Sequence, residues 1–206
     1  MNKHASSDST YAVSLYFDDA SAEQLRLATE RVSLAACNDY MTEHAVPPHI
    51  TLGMFHAAEN ELPLLKKVFA DFADKAGVTD NNAINGTNAL QKHYVFSFAG
   101  VKSFYDKVIF LYPAEEAAAY FKELNSILHE MFLPHFEAGG NRNYLPYNWC
   151  PHMALAVKLN HLQFQKGFEE AQRLFENGTL AESTIKIASL GLARCKPDTE
   201  IAMFSI

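Results

Sequence analysis

The sequence predicts an α+β fold of two pseudo-symmetric lobes, each a small, mostly antiparallel sheet with two helices, in a single domain over 1–206. Three observations lead there. A short phrase, Pro-His-x-(Thr/Ala)-Leu, occurs twice, as Pro48-His49-Ile50-Thr51-Leu52 and as Pro151-His152-Met153-Ala154-Leu155, half the chain apart. Strand and helix patterns come in the same order around each copy. Short turns join them with no linker rich in Pro, Gly or Ser, so lobes at about 11–103 and 104–206 should pack as one body.

In the first half, Tyr11 to Phe17 alternates, with Val13, Leu15 and Phe17 on one face as a half-buried strand requires. A helix follows, with Ser21 and Gln24 spaced as a capping box and Leu25, Ala28, Val32 and Ala35 at helical period up to about Asn38. The first histidine strand runs from about His49 to Phe55. Leu62, Leu65, Phe69, Phe72 and Ala76 mark a second amphipathic helix stopped by Gly77. A strand at His93 to Ala99, with Tyr94, Phe96 and Phe98 on one face, closes the half.

The second half repeats the order. Lys107 to Tyr112 reads as a strand, and Pro113 starts a helix whose stripe is Ala117, Tyr120, Phe121, Leu124, Leu128 and Met131 before Pro134. The second histidine strand comes next. Phe164, Phe168, Ala171 and Phe175 outline a helix ending at Asn177-Gly178, and strands at about Thr184 to Arg194 and Glu200 to Ile206 finish the chain.

At 206 residues and 49% hydrophobic, the chain can bury a sizeable core. Its formal charge of -7, evenly shared by the halves, argues against a surface for long duplex nucleic acid, which is held mainly by Lys and Arg on phosphates. A small phosphate in a local positive pocket is compatible with it. The polar opening residues and the lack of a long apolar run lead us to expect a soluble, cytoplasmic monomer without membrane contact. Cys37, Cys150 and Cys195, odd in number and widely spaced, suggest reduced thiols rather than a disulfide framework or zinc knuckle. Asn85-Gly86-Thr87 and Asn177-Gly178-Thr179 read as turns.

Alternate side chains of a strand share a face, so His49 and Thr51 point together while Ile50 and Leu52 point to the core. By the same parity His152, Ala154, Ala156 and Lys158 share a face. Proline before each histidine fits the first position of a strand, where no ladder donor is needed. Paired imidazoles can work as general base and general acid on one substrate, since both protonation states are accessible near neutral pH. We read His4, His44, His56, His93, His129, His135 and His161 as surface or structural. His129-Glu130 does not open a His-Glu-x-x-His zinc motif because residue 133 is Leu, so neither a metal nor a cofactor is expected. Cys150 shares parity with His152 but lacks a thiol-activating pattern.

These motifs make the chain resemble the 2H phosphoesterase superfamily, which includes bacterial 2′-5′ RNA ligase-like proteins and cyclic nucleotide phosphodiesterases. Its mark is a pair of His-x-(Thr/Ser)-x motifs in two pseudo-symmetric lobes. The first motif here matches fully, and the repeated element order extends the likeness over most of residues 11–206. The resemblance implies that His49 and His152 face each other across a central cleft. It implies metal-independent chemistry on a 2′,3′-cyclic phosphate or a 2′-5′ linkage of a small nucleotide or RNA end. Thr51 would then donate to a non-bridging phosphate oxygen.

The departure is Ala154, where the family has a second Thr or Ser. A hydrogen bond to a charged group contributes about 1.5–3 kcal/mol, so its loss should slow the reaction by roughly one to two orders of magnitude. That leaves room for a second class of function, a non-catalytic nucleotide or RNA-end binding module with a degenerate site, and for a third, a 2′-5′ RNA ligase. The stretch Gly139 to Trp149 runs straight into the second motif. From it Arg142 is a candidate to grip phosphate and Tyr147 or Trp149 to stack on a base, with Ala154 and Lys158 as further candidates beside the substrate. The opposing reading is a surface loop whose aromatics pack on the lobe.

Overall fold

The structure, a computed structural model, describes residues 9–78, 95–140, 142–181, 183–196 and 198–206. His4, His93, Tyr94, Asn141 and the Asn85-Gly86-Thr87 turn lie outside the described residues. The elements run β1 (Ser9–Phe17), α1 (Asp19–Ala36), α2 (Tyr40–Glu43), β2 (His49–Ala57), α3 (Leu62–Lys75), β3 (Val95–Phe96), β4 (Phe98–Phe104) and β5 (Val108–Pro113). Then come α4 (Glu115–Phe132), β6 (Glu137–Ala138), β7 (Met153–Ala156), α5 (His161–Glu176), β8 (Ile185–Cys195) and β9 (Asp198–Ser205).

Two antiparallel sheets form. One has the order β3-β8-β1-β2-β6, with β9 also on β8; the other is β4-β5-β7. Alternation builds β1 as expected: Tyr11, Val13 and Leu15 are fully buried and Phe17 nearly so. Helices α3 and α4 cover the larger sheet, and α1 and α5 pack together over the smaller one. In α4, Tyr120, Phe121, Leu124, Leu128 and Phe132 are buried, each contributing about 1.5–3 kcal/mol of burial free energy. A side chain at Gly53 would meet Leu128 Cδ2 at 2.9 Å, so the missing Cβ is what lets α4 close on β2.

The α+β architecture of two antiparallel sheets with helices is the one expected, but strand pairing does not follow the half-chain boundary. β8 and β9, from the end of the chain, pair beside β1, and β4, from the middle, pairs with β5. Helices cross as well, α4 lying on β2 and α1 against β7. The strand expected at His93 to Ala99 therefore breaks at Ser97. Val95 and Phe96 join β8, and Phe98 opens a hairpin with β5 that turns at Tyr105 and Asp106.

Two caps also differ. Asp18 caps α1 by accepting from the Ser21 N–H at 2.9 Å, while Ser21 Oγ accepts from the Lys186 N–H at 2.9 Å. The aspartate directly after the strand reaches the open N–H groups and frees the serine to tie α1 to β8. Pro113 ends β5 opposite Phe98, and α4 begins two residues later. No disulfide joins Cys37, Cys150 or Cys195. No helix of the described residues is long and apolar enough to cross a membrane.

Candidate active site

β2 and β7 come together from the two sheets, and both histidine phrases reach one cleft of about 710 Å³. His49, Thr51, His152 and Ala154 all line it. The parity expected of β2 holds, with His49 and Thr51 half-buried and Ile50 and Leu52 fully buried. His152 sits just ahead of β7 rather than in it.

Both imidazoles are anchored alike. His49 Nδ1 lies 2.7 Å from the Pro47 carbonyl, and His152 Nδ1 lies 2.7 Å from the Cys150 carbonyl. A carbonyl oxygen only accepts, so each Nδ1 carries the proton and Nε2 is the nitrogen that can take or give one. Tyr16 stands opposite His49 across the β1–β2 ladder, its ring 6.0 Å away. His152 is packed edge-on against Phe104 and Phe110 at 5.1 and 5.2 Å. Burial holds its pKa below the ordinary imidazole value; the Cys150 carbonyl opposes that and the nearby His49 charge reinforces it.

Thr51 has support that strand parity alone did not reveal. Buried Ser14, opposite it on β1, places its hydroxyl 3.5 Å from Thr51 Oγ1 as donor, which leaves the threonine proton to point elsewhere. No signal for it stood in the sequence, because Ser14 falls on the polar side of the alternation that places Val13 and Leu15 in the core, and only its burial departs from that pattern. Directly after Thr51 the ladder slips by one residue at Leu52. The Leu52 carbonyl accepts from Asn125 Nδ2 at 2.5 Å, and the same buried amide reaches the Tyr144 carbonyl at 3.1 Å. Asn125 thus clamps the strand carrying Thr51 to the segment that forms part of the cleft wall, since Asn143, Tyr144 and Asn148 line it.

The remaining sequence candidates fall elsewhere. Trp149 is only 4% exposed and belongs to the core, where its indole buries most surface. Tyr147, 75% exposed, and the exposed Arg142 flank the cleft without lining it. Lys158 leaves the expected face because β7 slips by one residue at Leu155, so that Ala156 is buried and Val157 lines the cleft instead. Lys158 then takes a positive φ of 57° and lies over the Tyr40 ring at 3.8 Å. Tyr40 and the β4–β5 turn, with Tyr105 and Lys107, also line the cleft. The turn escaped sequence reading because Tyr105-Asp106, both at positive φ, is not the Asn-Gly type of pair that marks such hairpins.

Cys150 lines the cleft, but burial pushes its thiol pKa up, away from the thiolate a nucleophile requires. Among the described residues no group of three or more His, Cys, Asp or Glu is placed to hold a metal ion.

This fold has solved counterparts. Escherichia coli LigT in apo form superposes with a TM-score of 0.53 at 11% identity, covering 96% of this chain and 97% of that one. Kluyveromyces marxianus Usb1 gives 0.50 at 13% identity, covering 94% and 97%. No curated protein matches the sequence. Over residues 17–192, a span that holds both histidine phrases and the whole of the smaller sheet, the sequence matches the family described as the 2′-5′ RNA ligase superfamily. Paired phrases, a two-sheet fold and that match across most of its length agree that this chain belongs to the 2′-5′ RNA ligase superfamily of 2H phosphoesterases.

Proposed function

We propose that the protein is a phosphodiesterase that cleaves 2′,3′-cyclic phosphates or 2′-5′ linkages of small nucleotides or RNA ends, using His49 and His152 as an acid–base pair. The observation that carries this reading is the pair of imidazoles in one cleft, each anchored through Nδ1 to a carbonyl two residues upstream. His152, kept neutral by burial, is the base: its Nε2 takes a proton from the attacking water as the water oxygen bonds to phosphorus. The bond from phosphorus to the leaving ribose oxygen breaks, and His49 gives that oxygen its Nε2 proton. The histidines leave the step with their protons exchanged, and the product is a phosphomonoester. Thr51 donates to a non-bridging oxygen, and Lys107 supplies positive charge at the cleft.

Ala154 favours a second reading, a binding module that keeps the cleft without turnover. Hydrolysis of a panel of 2′,3′-cyclic nucleotides and 2′-5′ dinucleotides in EDTA separates the two. The enzyme reading expects turnover in chelator, reduced about 10²–10⁴-fold in His49→Ala and in His152→Ala. Binding of the same ligands without turnover would establish the module and overturn the enzyme. Ligation of RNA ends under the same conditions would point to the reverse reaction.

A further inference from the structure

The two lobes present the same ladder position to the phosphate with opposite chemistry. Around the first phrase, Thr51 pairs with Ser14 across the ladder, and the strand slips by one residue at the following leucine, Leu52. Around the second, Ala154 pairs with Phe110, and the strand slips at the following leucine, Leu155. The positions are equivalent in pairing, slip and sequence. A hydroxyl pair on one side is an alanine and a phenylalanine on the other.

The exchange is local and complete. Phe110 is 1% exposed, stacks on Phe104 with ring centroids 4.2 Å apart, and packs against His152 at 5.2 Å. Phe104 and Ala154 face the cleft in front of it, with Val108 and Val157 beside them. A hydroxyl at Ala154 alone would find no counterpart to Ser14, because the residue opposite is an aromatic ring.

We propose that the site grips phosphate from one side: Thr51 holds one non-bridging oxygen, the other faces the apolar wall of Ala154 and Phe104 backed by Phe110, and the protein therefore distinguishes the two oxygens. The inference rests on the reading of the cleft as a phosphodiester site and adds a stereochemical preference to it. Sulfur accepts hydrogen bonds weakly and is larger and more polarizable than oxygen. In place of the oxygen facing Thr51 it forfeits a charge-assisted hydrogen bond, and in place of the oxygen facing the wall it meets carbon. Lys107 acts as a compact charge on a flexible stem and attracts either isomer.

The test compares kcat/KM for the oxo form and the two separated phosphorothioate diastereomers of a uridine 2′,3′-cyclic phosphate and of a 2′-5′ dinucleotide. For whichever is turned over, one diastereomer should react close to the oxo rate and the other about 10- to 100-fold more slowly. Thr51→Val should bring the ratio toward one, and Ala154→Ser, by adding a donor on the apolar side, should narrow it. Turnover of the oxo substrate with both diastereomers slowed alike, or a ratio that survives Thr51→Val, overturns the one-sided grip and leaves the phosphodiesterase reading standing. Absence of turnover on either oxo substrate overturns both.

Discussion

At the scale of single residues, the site is built from bonds that leave each reactive atom one task. Each histidine spends Nδ1 on a backbone carbonyl, which fixes the tautomer before substrate arrives. Thr51 receives a donor from Ser14, so its own proton is left to point elsewhere, as the proposed hydrogen bond to a phosphate oxygen requires. Ser14→Ala should therefore leave Thr51 in place yet lower kcat/KM by a few-fold, within the roughly 0.5–1.5 kcal/mol of one ordinary hydrogen bond. Steady-state kinetics with an unchanged melting temperature would check it. That Thr51 faces the cleft beside His49 was legible in the sequence because a two-residue repeat decides which side chains share a strand face, and that His152 joins them was legible from its repeated phrase, since it stands ahead of β7. Lys158 and Trp149 were not: one depended on a slipped register, and the other on whether an aromatic in a loop turns inward.

At the scale of elements, one buried amide joins three of them. Asn125 of α4 donates to the Leu52 carbonyl, which lies where β2 slips against β1, and to the Tyr144 carbonyl of the cleft wall. Replacing it by Leu would bury both carbonyls without that donor, and about 1–3 kcal/mol is lost for each polar group left unsatisfied. We expect Asn125→Leu to lower the midpoint of denaturant unfolding and to reduce turnover more than affinity, because the residue is buried behind the cleft and does not line it. The packing of α5 is equally specific, since a Cβ at Gly167 would lie 3.0 Å from Ile109 Cδ1 and 3.1 Å from the Ala36 Cβ. Gly167→Val should destabilise by about 1–3 kcal/mol through overpacking, measurable by thermal unfolding. Helix extents were readable from apolar period, as in α5, whose stripe of Phe164, Phe168, Ala171 and Phe175 runs up to Asn177-Gly178, whereas the starts of α1 and α4 were not, because Asp18 rather than Ser21 caps one and Pro113 ends a strand before the other. The exchange of β4 and β8 between the halves was not. Periodicity says that a segment is a strand and which face is apolar, whereas its partner is chosen by which sheet edge the chain can reach.

At the scale of the whole molecule, the cleft depends on both sheets holding together, and that depends on pH. His129, buried in α4, and His152 both have pKa values held below the ordinary imidazole value, chiefly by burial. Their folded states bind protons less readily than the unfolded chain, so stability is undiminished above the unfolded value near 6.5. It should fall as pH drops from there toward the lower folded values. Unfolding midpoints between about pH 8 and 5 should decrease on the acid side, and His129→Gln should flatten that decrease.

The acid–base claim is met most directly by the pH dependence of kcat/KM for the wild type, His49→Ala and His152→Ala on the substrate found active in the panel. The account predicts a bell for the wild type whose acid limb, the protonation of His152, lies below about pH 6.5. In His152→Ala the residual rate should lose that limb, and in His49→Ala it should lose the alkaline one. A wild-type profile retained in either variant would contradict the two-histidine mechanism.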